Sequence, residues 1–176
     1  MEQLEFKYIK TYSGFRGNGF LEQIIETKSI LKELGKTLAT ESDYKKNHSI
    51  KQQIKRLKND LDNSNVYNNR LIDTKNKLHQ SAKEVVSLSK NDIITQQLIS
   101  IFTKNRVEEP FIVATCPPIY RDSIAFFNDK QIVKIIHCCF ECINIIDESN
   151  NDIFLSQKGF EDLQAFFIRL GHKINN

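Results

Sequence analysis

The chain has 176 residues, of which 40 % are apolar, 27 % are charged and none is tryptophan, a balance that suits a modest core beneath a large solvated surface. A net charge of +3 is too small to make nucleic acid the partner of the whole chain. The charge is uneven: residues 1–110 carry 19 Lys/Arg against 14 Asp/Glu, and residues 111–176 carry 6 against 8.

The opening Met1-Glu2-Gln3-Leu4-Glu5-Phe6-Lys7 lacks the basic and apolar regions of a signal peptide. The most apolar run, Ile132 to Ile146, is broken by Lys134, His137, Glu141 and Asn144 and does not read as a bilayer span. A soluble, cytoplasmic protein with reduced thiols and no membrane partner is the expectation. Residues 4–12 partly alternate apolar and polar, as a short strand does. The stretch from Ser13 to Phe20 holds Gly14, Gly17 and Gly19 but no Gly-Lys-Ser/Thr ending. It therefore reads as a strand-to-helix loop rather than a phosphate cradle, with Arg16 leaving weak room for an anion.

From Leu21 the period becomes helical, and Leu21, Ile24, Ile25, Leu31, Leu34 and Leu38 share one broad face. A break at Thr40 to Asp43 follows, where Ser42 or Asp43 suits a helix cap. Ile50, Ile54, Leu57, Leu61, Ser64, Asn68, Leu71, Lys75, Leu78, Ala82 and Val85 then alternate spacings of four and three. That is a heptad seam, a coiled-coil signature with polar interruptions. Unbroken, it predicts an arm on the order of 60 Å long; the Asn-rich segment 62–69 alternatively turns it into a hairpin. A further helix over 92–104 is expected to bury Ile93, Ile94, Leu98 and Ile101.

Pro110 closes the helical part, so the boundary predicted from sequence separates 1–109, a short strand and helical arm, from 110–176, a small α+β module. Phe111 to Thr115 reads as a buried strand, Ser123 to Phe127 as another, and Asn128-Asp129-Lys130 as a turn. Ile132 to Ile146 suits one long strand or two separated by a cysteine turn, and Ile153-Phe154-Leu155 a short one. The last helix is expected to start at a Ser156 cap, to line one face with Phe160, Leu163, Phe167 and Leu170, and to stop at Gly171. The fold class is thus α+β, with a coiled-coil arm followed by an antiparallel β module and a C-terminal helix.

All four cysteines lie between positions 116 and 142. Cys139 and Cys142 have the Cys-x-x-Cys spacing of a zinc knuckle, and Cys116, before Pro117-Pro118, supplies a third thiolate. His172 is the favoured fourth ligand, ahead of Cys138 and His137, so a structural zinc ion stapling the module is expected. Buried unliganded thiols and a redox pair are the alternatives. The redox reading suffers because Ile143-Asn144-Ile145-Ile146 prefers a strand to the helix start that activates such thiols. Cys138 fits a core thiol, Arg121–Asp122 a surface pair, and Glu141 a solvent-facing residue.

Cys116-Pro117-Pro118-Ile119-Tyr120-Arg121-Asp122-Ser123, followed by Cys139-Phe140-Glu141-Cys142, resembles a pattern in small uncharacterised bacterial proteins. In those, an Arg-His pair precedes the strand; here Asp122 stands where the histidine would be. The resemblance spans residues 116–170 and implies a shared structural module without implying an activity.

Three functions compete. The first is a non-catalytic protein–protein interaction or assembly subunit that pairs with itself or another subunit through the arm. The second is nucleic-acid binding by Lys45, Lys46, Lys51, Lys55, Arg56 and Lys58, whose helix carries little interleaved aromatic surface. The third is an enzyme using Cys116, His137 or Cys139 as nucleophile and base.

Overall fold

The computed structural model describes residues 4–14, 18–63, 70–79, 81–112 and 116–174, without the side chains of 18–23, 60, 62 and 63. Among them are four helices and one five-stranded antiparallel sheet, so the α+β class holds. The chain divides into two units, Arg16–Asn69 and a discontinuous one of Met1–Phe15 with Arg70–Asn176. This differs from a boundary at 109/110, because the first strand pairs with strands from far along the chain.

The strands are β1 (Tyr8–Ser13), β2 (Lys83–Ser89), β3 (Asp122–Asn128), β4 (Gln131–Cys139) and β5 (Asn144–Asp147), in the order β2-β1-β3-β4-β5. β3 is central, and Asp122 to Phe127 are all buried. Successive side chains of a strand point to opposite faces, so Ile9, Ile124, Phe126, Ile136, Cys138 and Ile145 share one face. Helices α3 (Ile93–Lys104) and α4 (Gln157–Arg169) supply the rest of that core with Leu98, Phe102, Leu163, Phe166 and Phe167. Asp92 caps α3 by accepting from the Ile94 N–H at 2.9 Å, and Ser156 caps α4 by accepting from the Gly159 N–H at 3.2 Å. Gly171 takes the left-handed conformation, φ +95°, that ends α4 as expected.

The Arg16–Asn69 unit contains α1 (Asn18–Thr40) and α2 (Tyr44–Asn63), packed on each other across a three-residue link. Asp43 starts α2 by accepting from the Lys46 N–H at 3.0 Å. Ile24, Leu31, Leu34 and Leu38 of α1 and Ile50, Ile54, Leu57 and Leu61 of α2 are half-buried, whereas Ile25 is 68 % exposed and off that face.

The long seam is corrected here. α2 ends at Asn63, Leu71 is fully buried in the other unit, and Val85 lies in β2. Spacing alone extended the heptads through residues whose partners are strands. Ser64 to Asn69, within the segment where a hairpin break was one of two readings, lie outside the described residues, as do Phe15 to Gly17 of the glycine loop. Ile93, placed in the core by periodicity, is 70 % exposed; Phe111 and Ile112, read as a buried strand with 113–115, are exposed, and 113–115 lie outside the described residues. Ile153-Phe154-Leu155 form no strand; Leu155 makes an isolated bridge to Arg106, and the preceding Asp152 one to Ile146. No helix among the described residues is long and apolar enough to cross a membrane.

Candidate functional site

Asp122 and Ser123 enter the central strand side by side and therefore point to opposite faces of the sheet. Each holds a histidine. On the helix-covered face, His172 Nδ1 lies 2.6 Å from Asp122 Oδ1, and His172 Nε2 lies 2.9 Å from Thr11 Oγ1. On the opposite face, Ser123 Oγ lies 2.9 Å from His137 Nδ1. The order Asp–His–Thr has the composition of an acid–base–nucleophile relay. Thr11 and Ser123 are fully buried, however, so neither hydroxyl meets a substrate. These arrays satisfy polar groups inside the fold. Burial, reinforced by the Arg70 charge, lowers the His137 pKa to about 3, so this imidazole is neutral.

The cysteines occupy the edge where β4 turns into β5. Cys139 ends β4 two residues after His137 and on the same face, and it packs with Tyr120, Cys142 and Ile146. Ile143 closes the turn with φ +48°. Cys142 is joined to Cys116 by a disulfide whose Cα atoms are 5.9 Å apart. The Cys142 side of this bridge is buried, and Cys116 is exposed. A cleft of about 310 Å³ lies against the bridge, with Pro110, Ile112, Pro118 and Phe154 among its walls. The Tyr120 hydroxyl donates to Asn144 Oδ1 at 2.5 Å, and the Arg70 guanidinium lies 4.3 Å from the Tyr120 ring. Arg121 pairs with Glu141, which remains exposed to solvent as expected.

The four residues expected to ligate zinc do not converge. Cys116 and Cys142 are bonded to each other, and Cys139 packs beside them. His172 is on the helix-covered face, held by Asp122 and Thr11, so the sheet separates it from Cys139. Among the described residues no group of three or more His, Cys, Asp or Glu side chains is arranged to hold a metal ion. The bridge also departs from the expectation of reduced thiols, because folding brings together two sulfurs that are 26 residues apart in sequence.

Cys138 is the core thiol that its neighbours predicted. It is fully buried among Ile136, Ile145 and α4, and burial pushes its thiol well above the usual range. His137, a reserve ligand, instead serves Ser123. Asp122, read as a surface partner of Arg121, is the buried anchor of His172.

Sequence reasoning missed the polar arrays, since Thr11 and His172 are 161 positions apart. Strand alternation at Asp122-Ser123 was the only local signal. A second cleft, of about 350 Å³, is walled by Phe102, Arg106, Lys134, Ile136, Asp147 and Asp152. Comparison with family models, curated proteins and solved structures found no match to this chain.

Proposed function

We propose that the chain is a non-catalytic protein–protein interaction or assembly subunit whose α1–α2 hairpin is its pairing arm. The observation that supports it is the burial of that hairpin: no described side chain from Ile24 to Leu61 is fully buried. The sheet unit, by contrast, has Ile9, Leu98, Ile124, Ile136, Leu163 and Phe167 at zero exposure. Two helices in contact along one stripe cannot close a core, and helices such as these, of 23 and 20 residues, draw most of their stability from packing an amphipathic face. A half-buried seam gains most from helices brought by a partner. The buried hydroxyls of Thr11 and Ser123 weigh against a hydroxyl-nucleophile enzyme.

The test is amide hydrogen exchange of the full chain across a range of concentrations, with mass determined by light scattering. The expected result is rapid exchange in α1 and α2 for monomer, with protection appearing as chains associate or a partner is added. A chain that stays monomeric with α1 and α2 protected as strongly as β3 has a finished hairpin, and the reading fails.

One observation favours a second reading. Lys45, Lys46, Lys51, Lys55, Arg56 and Lys58 are all exposed on α2, which gives a nucleic acid a basic face. Binding to a short duplex that weakens steeply with added salt supports it; no binding at low salt removes it.

A further inference from the structure

Three cysteines meet at the β4–β5 turn, and only two of them are bonded. Cys139 packs in one buried cluster with Cys142, three residues away across the turn. Burial raises the Cys139 thiol pKa, with the Glu141 charge adding to the rise, while the nearby backbone of Cys142 and Ile119 and the Arg121 charge offset it only in part. Cys138, the remaining free cysteine, is on the opposite face inside the main core. The bridge partner of Cys142 is the exposed Cys116, beside the cleft of about 310 Å³.

We propose that Cys139 exchanges with the Cys116–Cys142 bridge and that Cys116 is thereby released as a reactive thiol facing the cleft. The buried Cys139 thiol loses its proton to water admitted when the turn opens locally, and its sulfur attacks the Cys142 sulfur. The Cys139–Cys142 bond forms as the Cys142–Cys116 bond breaks, and Cys116 leaves as a thiolate that water can solvate or protonate. One disulfide and one thiol are present before and after, so no oxidant or reductant is consumed. Attack at Cys142 rather than Cys116 follows from position: the attacked sulfur is in the attacker's own packed cluster, and the departing one is exposed. In the exchanged form the cleft, walled by Pro110, Ile112, Pro118 and Phe154 together with Asn144 and Asp152, presents a thiol to soft electrophiles and to disulfides of other molecules. This site is independent of the helical arm.

The experiment is trapping of the full-length, bridged protein with N-ethylmaleimide in the absence of reductant, followed by acid quenching, trypsin and mass spectrometry. Cleavage after Arg106 and Arg121 isolates Cys116 in one peptide, and cleavage after Lys134 and Lys158 leaves Cys138, Cys139 and Cys142 together in another. The expected result is time-dependent labelling of Cys116, while the second peptide acquires an internal bridge and is no longer joined to the first. Labelling of Cys116 should be at least about tenfold slower in Cys139→Ser, and Cys138→Ala should label like the unaltered chain. Peptides that stay joined throughout overturn the proposal, as does equal labelling in Cys139→Ser. Should Cys139→Ser fail to fold, the unaltered chain and Cys138→Ala still decide: loss of exchange in folded Cys138→Ala assigns the attack to the wrong thiol and also overturns it.

Discussion

His172 Nδ1 sits 2.6 Å from Asp122 Oδ1 with both side chains out of solvent, and this contact ties the chain after α4 to the central strand. The same imidazole reaches Thr11 on β1 at 2.9 Å and meets the Phe167 ring edge-on at 4.7 Å. One side chain thus joins two neighbouring strands and the last helix. Removing either member leaves a buried polar group without its partner, which costs far more than an exposed pair does. Asp122→Ala is expected to lower stability by about 3 kcal/mol or more, and Thr11→Val by about 1 kcal/mol. Denaturant unfolding followed by tyrosine fluorescence measures both, since the chain has no tryptophan. Equal, small effects would show that the tie contributes little.

His137 predicts an acid-dependent loss of stability. Its pKa is about 3 in the folded chain against 6.5 as the reference value. Between those values the unfolded chain binds a proton that the folded chain excludes, so stability falls as pH drops through the window and is complete above it. The slope from this group is at most about 1.4 kcal/mol per pH unit. His137→Asn should flatten the profile between about pH 6 and pH 4. An unchanged slope in the variant would place the acid sensitivity elsewhere.

Gly159 lies in the first turn of α4, where a Cβ would come within 2.3 Å of the Asn105 Cβ and 3.4 Å of the Leu155 Cβ. Alanine is ordinarily the better helix former by about 1 kcal/mol. Here the short approach outweighs that gain, because the neighbouring atoms are close to the backbone and cannot swing away. Gly159→Ala is expected to destabilise the chain by about 1–3 kcal/mol. A raised melting temperature in the variant would contradict this.

Thr95 gives the opposite sign. Its side chain is fully buried in α3, and its Oγ1 makes no hydrogen bond. A hydroxyl taken out of water without a partner is a cost that an isosteric methyl avoids. Thr95→Val should therefore raise stability by about 1 kcal/mol, read as a shift of the denaturant midpoint at constant slope. A lower midpoint would mean that the hydroxyl has found a partner.

What the sequence determined by itself is local. Ser156 and Gly171 mark both ends of α4, and Asn128-Asp129-Lys130 marks the β3–β4 turn with Asp129 at φ +53°. That Ile132–Ile146 is strand was also readable, because β-branched runs act over a few positions; of the one-strand and two-strand readings left open, the structure takes the second. The tertiary structure alone decided what depends on partners distant in sequence. Val85 continued a heptad spacing, yet pairing with β1 across about 70 positions makes its segment a strand. Asp122 looked like a surface acid until β1, β3 and α4 closed over it, and His172 was the favoured fourth ligand until the sheet came between it and Cys139. Spacing reports which side of an element a residue occupies; only the packing of several elements determines what it faces.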